Sequence, residues 1–175
     1  AELDALRFGS TSAYFTDRAQ SAIMLDALAL PRTVRTSDAA NSRRAGTSAL
    51  LDALLSDSTE IIAVAEKRDV QPGNPSQFAF GDGAASVRTG ESGGAQLVGH
   101  FSITHDLVDR YASREHPNSY AYEERFVRDV AVAEILLPVV EGACASAGVS
   151  PTEIAHVAVA EPVGGCWASV ARKLG

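Results

Sequence analysis

Residues 36–50 read TSDAANSRRAGTSAL and hold the pattern that decides the fold. The segment begins as a strand of small and polar residues, turns at residues 41–42, and enters a helix through residues 45–47. The N-terminus of a helix presents unpaired N–H groups and the positive end of the helix dipole, and both favour an anion. A strand–turn–helix unit of this kind is therefore suited to display a nucleophile.

Strands alternate with helices on both sides of this segment. Thr16 is expected to cap the first helix, and Pro138 is expected to kink or split the long helix of the second half. The periodicity predicts strands at residues 3–10, 33–39, 61–65, 84–89, 96–103 and 156–160, and helices at 17–30, 45–55, 122–147 and 167–174. This alternation predicts an α/β fold with mixed strand pairing. The glycine-rich residues 90–94 divide the chain into halves, 1–92 and 93–175.

The composition is that of an ordinary globular protein, with 46% apolar and 21% charged residues. A net charge of −7 argues against a nucleic-acid partner, because phosphate binding needs clustered Lys and Arg. Two cysteines do not make a disulfide framework, and Cys144 is expected to be a small buried residue. No uninterrupted apolar run reaches the ~20 residues of a membrane helix. A cytoplasmic protein with no membrane partner is therefore expected.

Two segments carry a resemblance to a known family. The turn within residues 36–50 and the run Phe80-Gly81-Asp82-Gly83-Ala84-Ala85 resemble the thiolase superfamily, in the branch of hydroxymethylglutaryl-CoA synthase and ketoacyl-synthase type III. The resemblance implies a thiolase-like layered α/β/α fold with mixed sheets. Condensing enzymes of this family are considerably longer than 175 residues. The chain is therefore expected to be partial or reduced, either a reduced relative or a piece of a longer polypeptide.

The family pattern places unusual residues at the two main catalytic positions. The pattern Ala-Cys-x-Ala-Gly-Thr puts Arg43 where the nucleophilic cysteine is expected, and the His-x-Pro-Asn motif puts Ala160 at the histidine position. Arginine stays protonated and offers no nucleophilic lone pair. The resemblance therefore implies a chain without the usual cysteine-based condensation chemistry. Arg43 either closes the acyl pocket, pairs with a phosphate or carboxylate, or points to solvent.

Three other residues are candidates for a displaced catalytic site. Cys166 follows Gly164-Gly165 at the start of the last predicted helix, where the helix dipole favours a thiolate. Glu161 lies beside the position of the missing histidine and is a candidate base. His105 has Asp106 as a neighbour, although adjacent residues on a helix do not face one another, and a structural or interface role stays open.

The resemblance also implies a ligand. A coenzyme A thioester is the expected substrate or ligand, with no covalently bound cofactor, and no Cys/His spacing predicts a metal site. Ser42 is also a candidate nucleophile, with a helix-capping role as the alternative. The residues predicted to contact the ligand are Ser42, Arg43, Gly46, Gly81, Gly164 and Gly165.

Two functional classes follow from these residues. The first is a thiolase-like, synthase-like subunit of an acyl-CoA-processing assembly without cysteine-based condensation. The alternative is an active acyl-CoA acyltransferase, thiolase or retro-aldol lyase that uses Cys166, Glu161 or His105. The resemblance implies a homodimer paired through the strand at residues 33–39, or a hetero-oligomer with another thiolase-like chain. It also makes a zinc-ribbon/OB-fold protein a reasonable partner.

Overall fold

The computed structural model describes residues 2–40, 42–113, 115–160 and 163–175. The chain divides into two compact units, Ala1–Gln96 and Leu97–Gly175. Each unit is described by itself. The correspondence of these units to the halves 1–92 and 93–175 stays a prediction.

The first unit is built on a four-stranded mixed sheet with the order β2-β1-β3-β4. Strand β1 runs parallel to both of its neighbours, with Phe8 opposite Asp38 on one side and Ala63 on the other, and β4 is antiparallel to β3. The elements are β1 (Ala5–Gly9), α1 (Gln20–Ala27), β2 (Arg35–Ala39), α2 (Ala45–Leu54), β3 (Glu60–Glu66), a 3₁₀ turn (Pro75–Phe78) and β4 (Gly83–Arg88). These bounds confirm the strands and helices predicted for the first half.

The two helices of this unit cover opposite faces of the sheet. Ala39 packs against the cluster that α2 forms with Ile62 of β3. The side chain of Asp38, which precedes Ala39 on β2, instead accepts hydrogen bonds from the backbone N–H groups of Gln20 (2.6 Å) and Ser21 (3.0 Å) at the start of α1. Because successive side chains of a strand point to opposite faces, α1 and α2 form separate layers. The layered α/β/α arrangement is confirmed.

The start of α1 differs from the sequence-based prediction. The helix begins at Gln20 rather than near residue 17, and Thr16 does not cap it. Its first N–H groups are satisfied by the carboxylate of Asp38, which comes from the neighbouring strand. A cap from a strand 17 or 18 residues away leaves no local pattern in the sequence.

A buried ion pair joins the amino ends of the three parallel strands. The carboxylate of Glu60 has no solvent exposure, whereas the Arg7 side chain is 23% exposed. Arg7 donates from Nε to Oε2 and from Nη2 to Oε1 (3.1 Å), Ser56 donates a further hydrogen bond, and Arg35 lies 3.9 Å away. The hydrogen bonds from Arg7 outweigh the effect of burial and lower the pKa of Glu60.

The second unit is mainly helical. Helix α3 (Glu124–Val130) runs through a π-helical segment (Ala131–Leu136) into α4 (Leu137–Ala147), and α5 is Cys166–Leu174. Pro138 lies in the first turn of α4, directly after the π-helical segment. The helix continues without a break from Glu124 to Ala147, so Pro138 does not split it, and a kink there stays a prediction. A short hairpin, β5 (Arg110–Tyr111) with β6 (Tyr120–Ala121), and a 3₁₀ turn (Pro151–Glu153) complete the unit.

Two predicted strands of the second half are absent from the described part of the chain. Residues 96–103 and 156–160 form no ladder with any described residue. A strand exists only where a neighbouring backbone supplies hydrogen bonds, so an apolar pattern alone does not create one. Residues 99–101 instead pack on α4: a Cβ on Gly142 would lie 2.4 Å from the Phe101 ring.

The core of the second unit contains Ala131, Val132, Cys166 and Val170, with Leu107, Leu136 and Trp167 packed around them. Cys144 is buried, as predicted. Glu124–Ala147 has a mean hydropathy of 1.7 over its most apolar window and is long and apolar enough to cross a membrane by length and composition. This corrects the prediction that no segment is long and apolar enough to span a membrane. Glu134 and Glu141 interrupt the apolar run, but the mean hydropathy of the helix stays high. Core helices of soluble proteins pass the same criterion, so the absence of a membrane partner stays a prediction.

Candidate functional site

The predicted nucleophile turn lies between β2 and α2. Ser42 accepts a hydrogen bond at its backbone oxygen from the N–H of Ala45 (2.8 Å), and its Oγ accepts one from the N–H of Arg44 (3.2 Å). Thr47 Oγ1 then donates to the carbonyl of Arg44 (3.1 Å). The Ser42 side chain thus holds the turn that leads into the helix. The N-cap residue of α2 is Arg44, and no described side chain caps the helix, so Ser42 stabilises the preceding turn rather than capping the helix, and its role as a nucleophile stays a prediction.

Gly46 lets α2 begin directly against the sheet. A Cβ on Gly46 would lie 2.9 Å from Cγ1 of Val64, and a Cβ on Gly9 would lie 2.9 Å from Cα of Gly46. Real Cβ atoms essentially never approach this closely, so only glycine fits at either position. The two glycines set the distance between the carboxyl end of β1 and the first turn of α2. The role visible for Gly46 is therefore backbone packing.

Arg43 and Arg44 occupy the exposed part of the turn, immediately before α2. The first turn of the helix contains no acidic residue. Two guanidinium groups and the amino end of a helix place positive charge at the same edge of the sheet, which favours an anionic ligand.

A concave surface lies between the loop that precedes α1 and the end of β2, and Ala40 connects it in sequence to this turn. Its volume is about 230 Å³, and it is lined by Phe8, Ser10, Arg18, Asp38 and Ala40, among others. It therefore lies at the carboxyl ends of the parallel strands β1 and β2, the edge at which α/β sheets usually bind their ligands. Its size is sufficient for a short acyl group and below the ~300–1,000 Å³ of sites that enclose a drug-sized ligand.

A carboxylate that sequence reasoning missed lies at the same edge. Glu66, the last residue of β3, accepts hydrogen bonds from the backbone N–H of Thr11 (2.6 Å), from Thr11 Oγ1 (3.1 Å) and from Ser12 Oγ (2.9 Å). Arg68 lies 3.7 Å from the same carboxylate. The available signal was topological, since neighbouring parallel strands end at one edge of the sheet. Glu66 thereby fixes the loop that follows β1.

The turn before α5 leads into a buried thiol. Gly165 has a φ of 87°, a left-handed conformation that favours glycine, and Arg128 Nε donates to the carbonyl of Gly164 (2.9 Å). Cys166 follows at the start of α5 with 0% exposure, packed in the apolar core. A thioester reaches this sulfur only if the unit opens. The predicted catalytic role of Cys166 stays a prediction, and Glu161 lies outside the described residues.

His105 has a partner that the sequence did not predict. Its Nε2 lies 3.1 Å from Oε2 of Glu134, a residue of the π-helical segment 29 residues further along the chain. The imidazole is 35% exposed and the Glu134 side chain is 59% exposed. A solvent-accessible histidine held by a carboxylate is an arrangement suited to acid–base chemistry.

The predicted ligand-contacting residues fall into separate groups. Ser42, Arg43 and Gly46 share the turn before α2, and Gly164 and Gly165 share the turn before α5. Gly81 precedes β4 and would have no described heavy atom within 4 Å of an added Cβ. Within the four described ranges, no group of three or more His, Cys, Asp or Glu side chains is placed to hold a metal ion.

Comparison with solved structures identifies the fold. MvaS in complex with 3-hydroxy-3-methylglutaryl coenzyme A is similar at a TM-score of 0.73 and 16% identity, over 99% of this chain and 46% of that one. An HMG-CoA synthase complexed with CoA is similar at a TM-score of 0.76 and 15% identity, over 99% of this chain and 46% of that one. The 3-oxoacyl-(acyl carrier protein) synthase III FabH from Pseudomonas aeruginosa is similar at a TM-score of 0.76 and 21% identity, over 99% of this chain and 58% of that one.

These likenesses confirm the thiolase-like α/β fold. The chain spans about half the length of the solved structures that it matches. No protein-family model matches the sequence, and no curated protein matches it.

Proposed function

We propose that this chain is an HMG-CoA-synthase-like subunit of an acyl-CoA-processing assembly that binds a coenzyme A thioester without cysteine-based condensation. The observation that carries the proposal is the turn before α2, which keeps the packing of Gly9 and Gly46 but presents Arg43 at the nucleophile position. The similar solved structures that hold CoA or HMG-CoA support the choice of ligand.

The charge at this edge supports an anionic ligand. Arginine donates charge-assisted hydrogen bonds to phosphate and carboxylate and cannot attack a thioester. Coenzyme A carries phosphates, and the adjacent concave surface of about 230 Å³ suits a short acyl group. Binding at the turn therefore uses the arginines in place of the missing cysteine.

The exposed edge of the sheet supports assembly. Strand β2 is one of the two edge strands of the sheet, and its side chains from Arg35 to Asp38 are exposed. An edge strand offers a row of backbone groups for pairing with another chain. We place a second copy or another thiolase-like chain at this edge. A zinc-ribbon/OB-fold partner and a cytoplasmic location complete the proposal.

Calorimetric titration with CoA and acetyl-CoA tests the ligand. Replacing Arg43 and Arg44 by Ala is expected to weaken binding by about 10-fold or more, since hydrogen bonds to charged groups contribute about 1.5–3 kcal/mol each. The matched control is Arg125→Ala, which removes an exposed guanidinium from an ion pair on α3. Undiminished CoA binding by the double variant would contradict the role of the turn.

Intact-mass analysis after incubation with several acyl-CoAs tests the chemistry. The proposal predicts unmodified protein, because Arg43 cannot be acylated and Cys166 is enclosed. An acyl adduct that disappears in Cys166→Ala would establish a displaced nucleophile and refute the non-condensing function.

A second candidate function is retro-aldol cleavage of a 3-hydroxyacyl thioester, which the His105–Glu134 pair favours. Here a base takes the proton of the hydroxyl group and the C–C bond breaks. Its electron pair forms the enolate of the thioester, which then takes up a proton. No cysteine takes part. Incubation with 3-hydroxyacyl-CoA and analysis of the aldehyde or ketone and shortened acyl-CoA tests this function, and an unchanged rate in His105→Gln would remove His105 as the base.

A further inference from the structure

The pair formed by His105 and Glu134 joins two segments that are distant in sequence. His105 lies in the irregular segment before β5, and Glu134 lies 29 residues later on the long helix. Two residues beyond His105, Leu107 packs against the core around Ala131 and Val132. The histidine is therefore anchored close to the helix, while its ring stays accessible to solvent.

Glu134 lies within the π-helical segment Ala131–Leu136. A π turn holds one more residue than an α turn, so it changes the angular positions of side chains relative to a continuous α-helix. Ala131 and Val132 at its start are buried, whereas Glu134 lies on the exposed side and reaches Nε2 of His105. Single π turns inside α-helices are frequent at functional sites.

We propose that Glu134 is the positioning residue of His105: it accepts the Nε2–H of the neutral imidazole and leaves Nδ1 as the proton-accepting atom. This inference rests on the second candidate function, because it names the base nitrogen of that reaction. Asp106, the neighbour that sequence alone suggested, has no part in it.

The proton and electron balance of the step is complete without a further reactant. Nδ1 takes the proton of the substrate hydroxyl, and the electron pair of the broken C–C bond becomes the enolate. The imidazolium keeps its Nε2–H bond to Glu134, which then joins two opposite charges. The proton on Nδ1 then passes to the enolate carbon and restores the neutral imidazole.

Histidine ring NMR of protein labelled with nitrogen-15 histidine tests the inference. His105→Gln identifies the signals of His105 among those of the four histidines. At a pH where the imidazole is neutral, the wild type is expected to show a protonated Nε2 and an unprotonated Nδ1. In Glu134→Ala both nitrogens should shift toward a mixture of tautomers, whereas Glu134→Asp should restore part of the wild-type pattern.

The matched control is Asp106→Asn, which removes the neighbouring carboxylate and should leave the spectrum unchanged. An identical spectrum in the wild type and Glu134→Ala would overturn the proposal, as would an equal change in Asp106→Asn. Glu134 is 59% exposed, so its replacement is compatible with folding, which circular dichroism confirms for each variant.

The cleavage assay separates this inference from the proposed function. If the enzyme is active, Glu134→Ala should lower kcat by about 10-fold, a part of the roughly 10²–10⁴-fold contribution of a general base, with little effect on KM. If wild type is inactive while the spectra change as expected, the positioning of His105 stands and the reaction is refuted. If the protein is active but the spectra do not change, the positioning is refuted.

Discussion

Replacing Gly46 by Ala tests the contact that places the turn against the sheet. The added Cβ would lie 2.9 Å from Cγ1 of Val64, and overpacking of this kind costs about 1–3 kcal/mol. The higher helix propensity of Ala offsets at most about 1 kcal/mol of that. We therefore expect a net loss of about 0–3 kcal/mol in the free energy of unfolding, measured by urea denaturation with an unchanged m-value.

Val64→Ala provides the decisive comparison, because it removes the atom that the new methyl group would meet. In the double variant the two changes should be coupled by roughly 0.5–3 kcal/mol, so that Gly46→Ala costs less when Val64 is already Ala. Additivity of the two single changes within about 0.3–0.5 kcal/mol would refute the contact.

Two other glycines serve as matched comparisons. Gly9→Ala would bring its Cβ to 2.9 Å from Cα and 3.0 Å from N of Gly46, and backbone atoms cannot rotate away. It should therefore destabilise the protein more than Gly46→Ala, with no rescue by Val64→Ala. Gly81→Ala meets no described atom within 4 Å and should stay within about 0.5 kcal/mol of the wild type. A loss at Gly81 equal to that at Gly9 would contradict the packing argument.

Three further predictions concern buried and capped groups. The pKa of Glu60 is lowered in the folded protein. The stability that the Glu60 carboxylate contributes is therefore present above its unfolded pKa of about 4.5 and is lost as the pH falls through the folded pKa. Glu60→Gln should remove this acid-dependent loss of stability, measured by unfolding curves from pH 7 downward. Glu66→Ala should destabilise the first unit by about 1–3 kcal/mol and speed amide exchange at Thr11 and Ser12, with unchanged exchange refuting the tie. Cys166 should react with a thiol reagent only as fast as the second unit opens, and immediate labelling would refute its burial.

Most of the first unit is predictable from sequence because its signals are local. The apolar run of β3 and the glycine-to-helix transition at Gly46 each specify an element within a few residues. The start of α1 is not local, because Asp38 caps it from another strand. The predicted strands at 96–103 and 156–160 fail for a related reason: their apolar pattern is suitable for a strand, but pairing depends on a partner that the described residues do not provide.

The candidate site, like the fold, is predictable from sequence only where its signals are local. The resemblance in the sequence predicts a nucleophile at the position that Arg43 occupies, and this prediction needs only the local pattern of the turn. The partners of the charged groups are not visible, because Glu66 meets Thr11 across 55 residues and Glu134 meets His105 across 29. The sequence analysis named Asp106 only as a neighbour of His105, and the carboxylate that contacts the imidazole belongs to Glu134 in the π-helical segment.

The packing of the turn shows which residues the fold needs at this edge of the sheet. The contacts that hold the turn against the sheet involve Gly9, Gly46 and Val64, together with the backbone of Ser42. Residue 43 is exposed, and the sequence resemblance predicts a cysteine at that position. Fold similarity is then retained whether or not the chemistry is. For this reason the assignment of function depends on the exposed side chains at 43, 44, 105 and 134, and on what they bind.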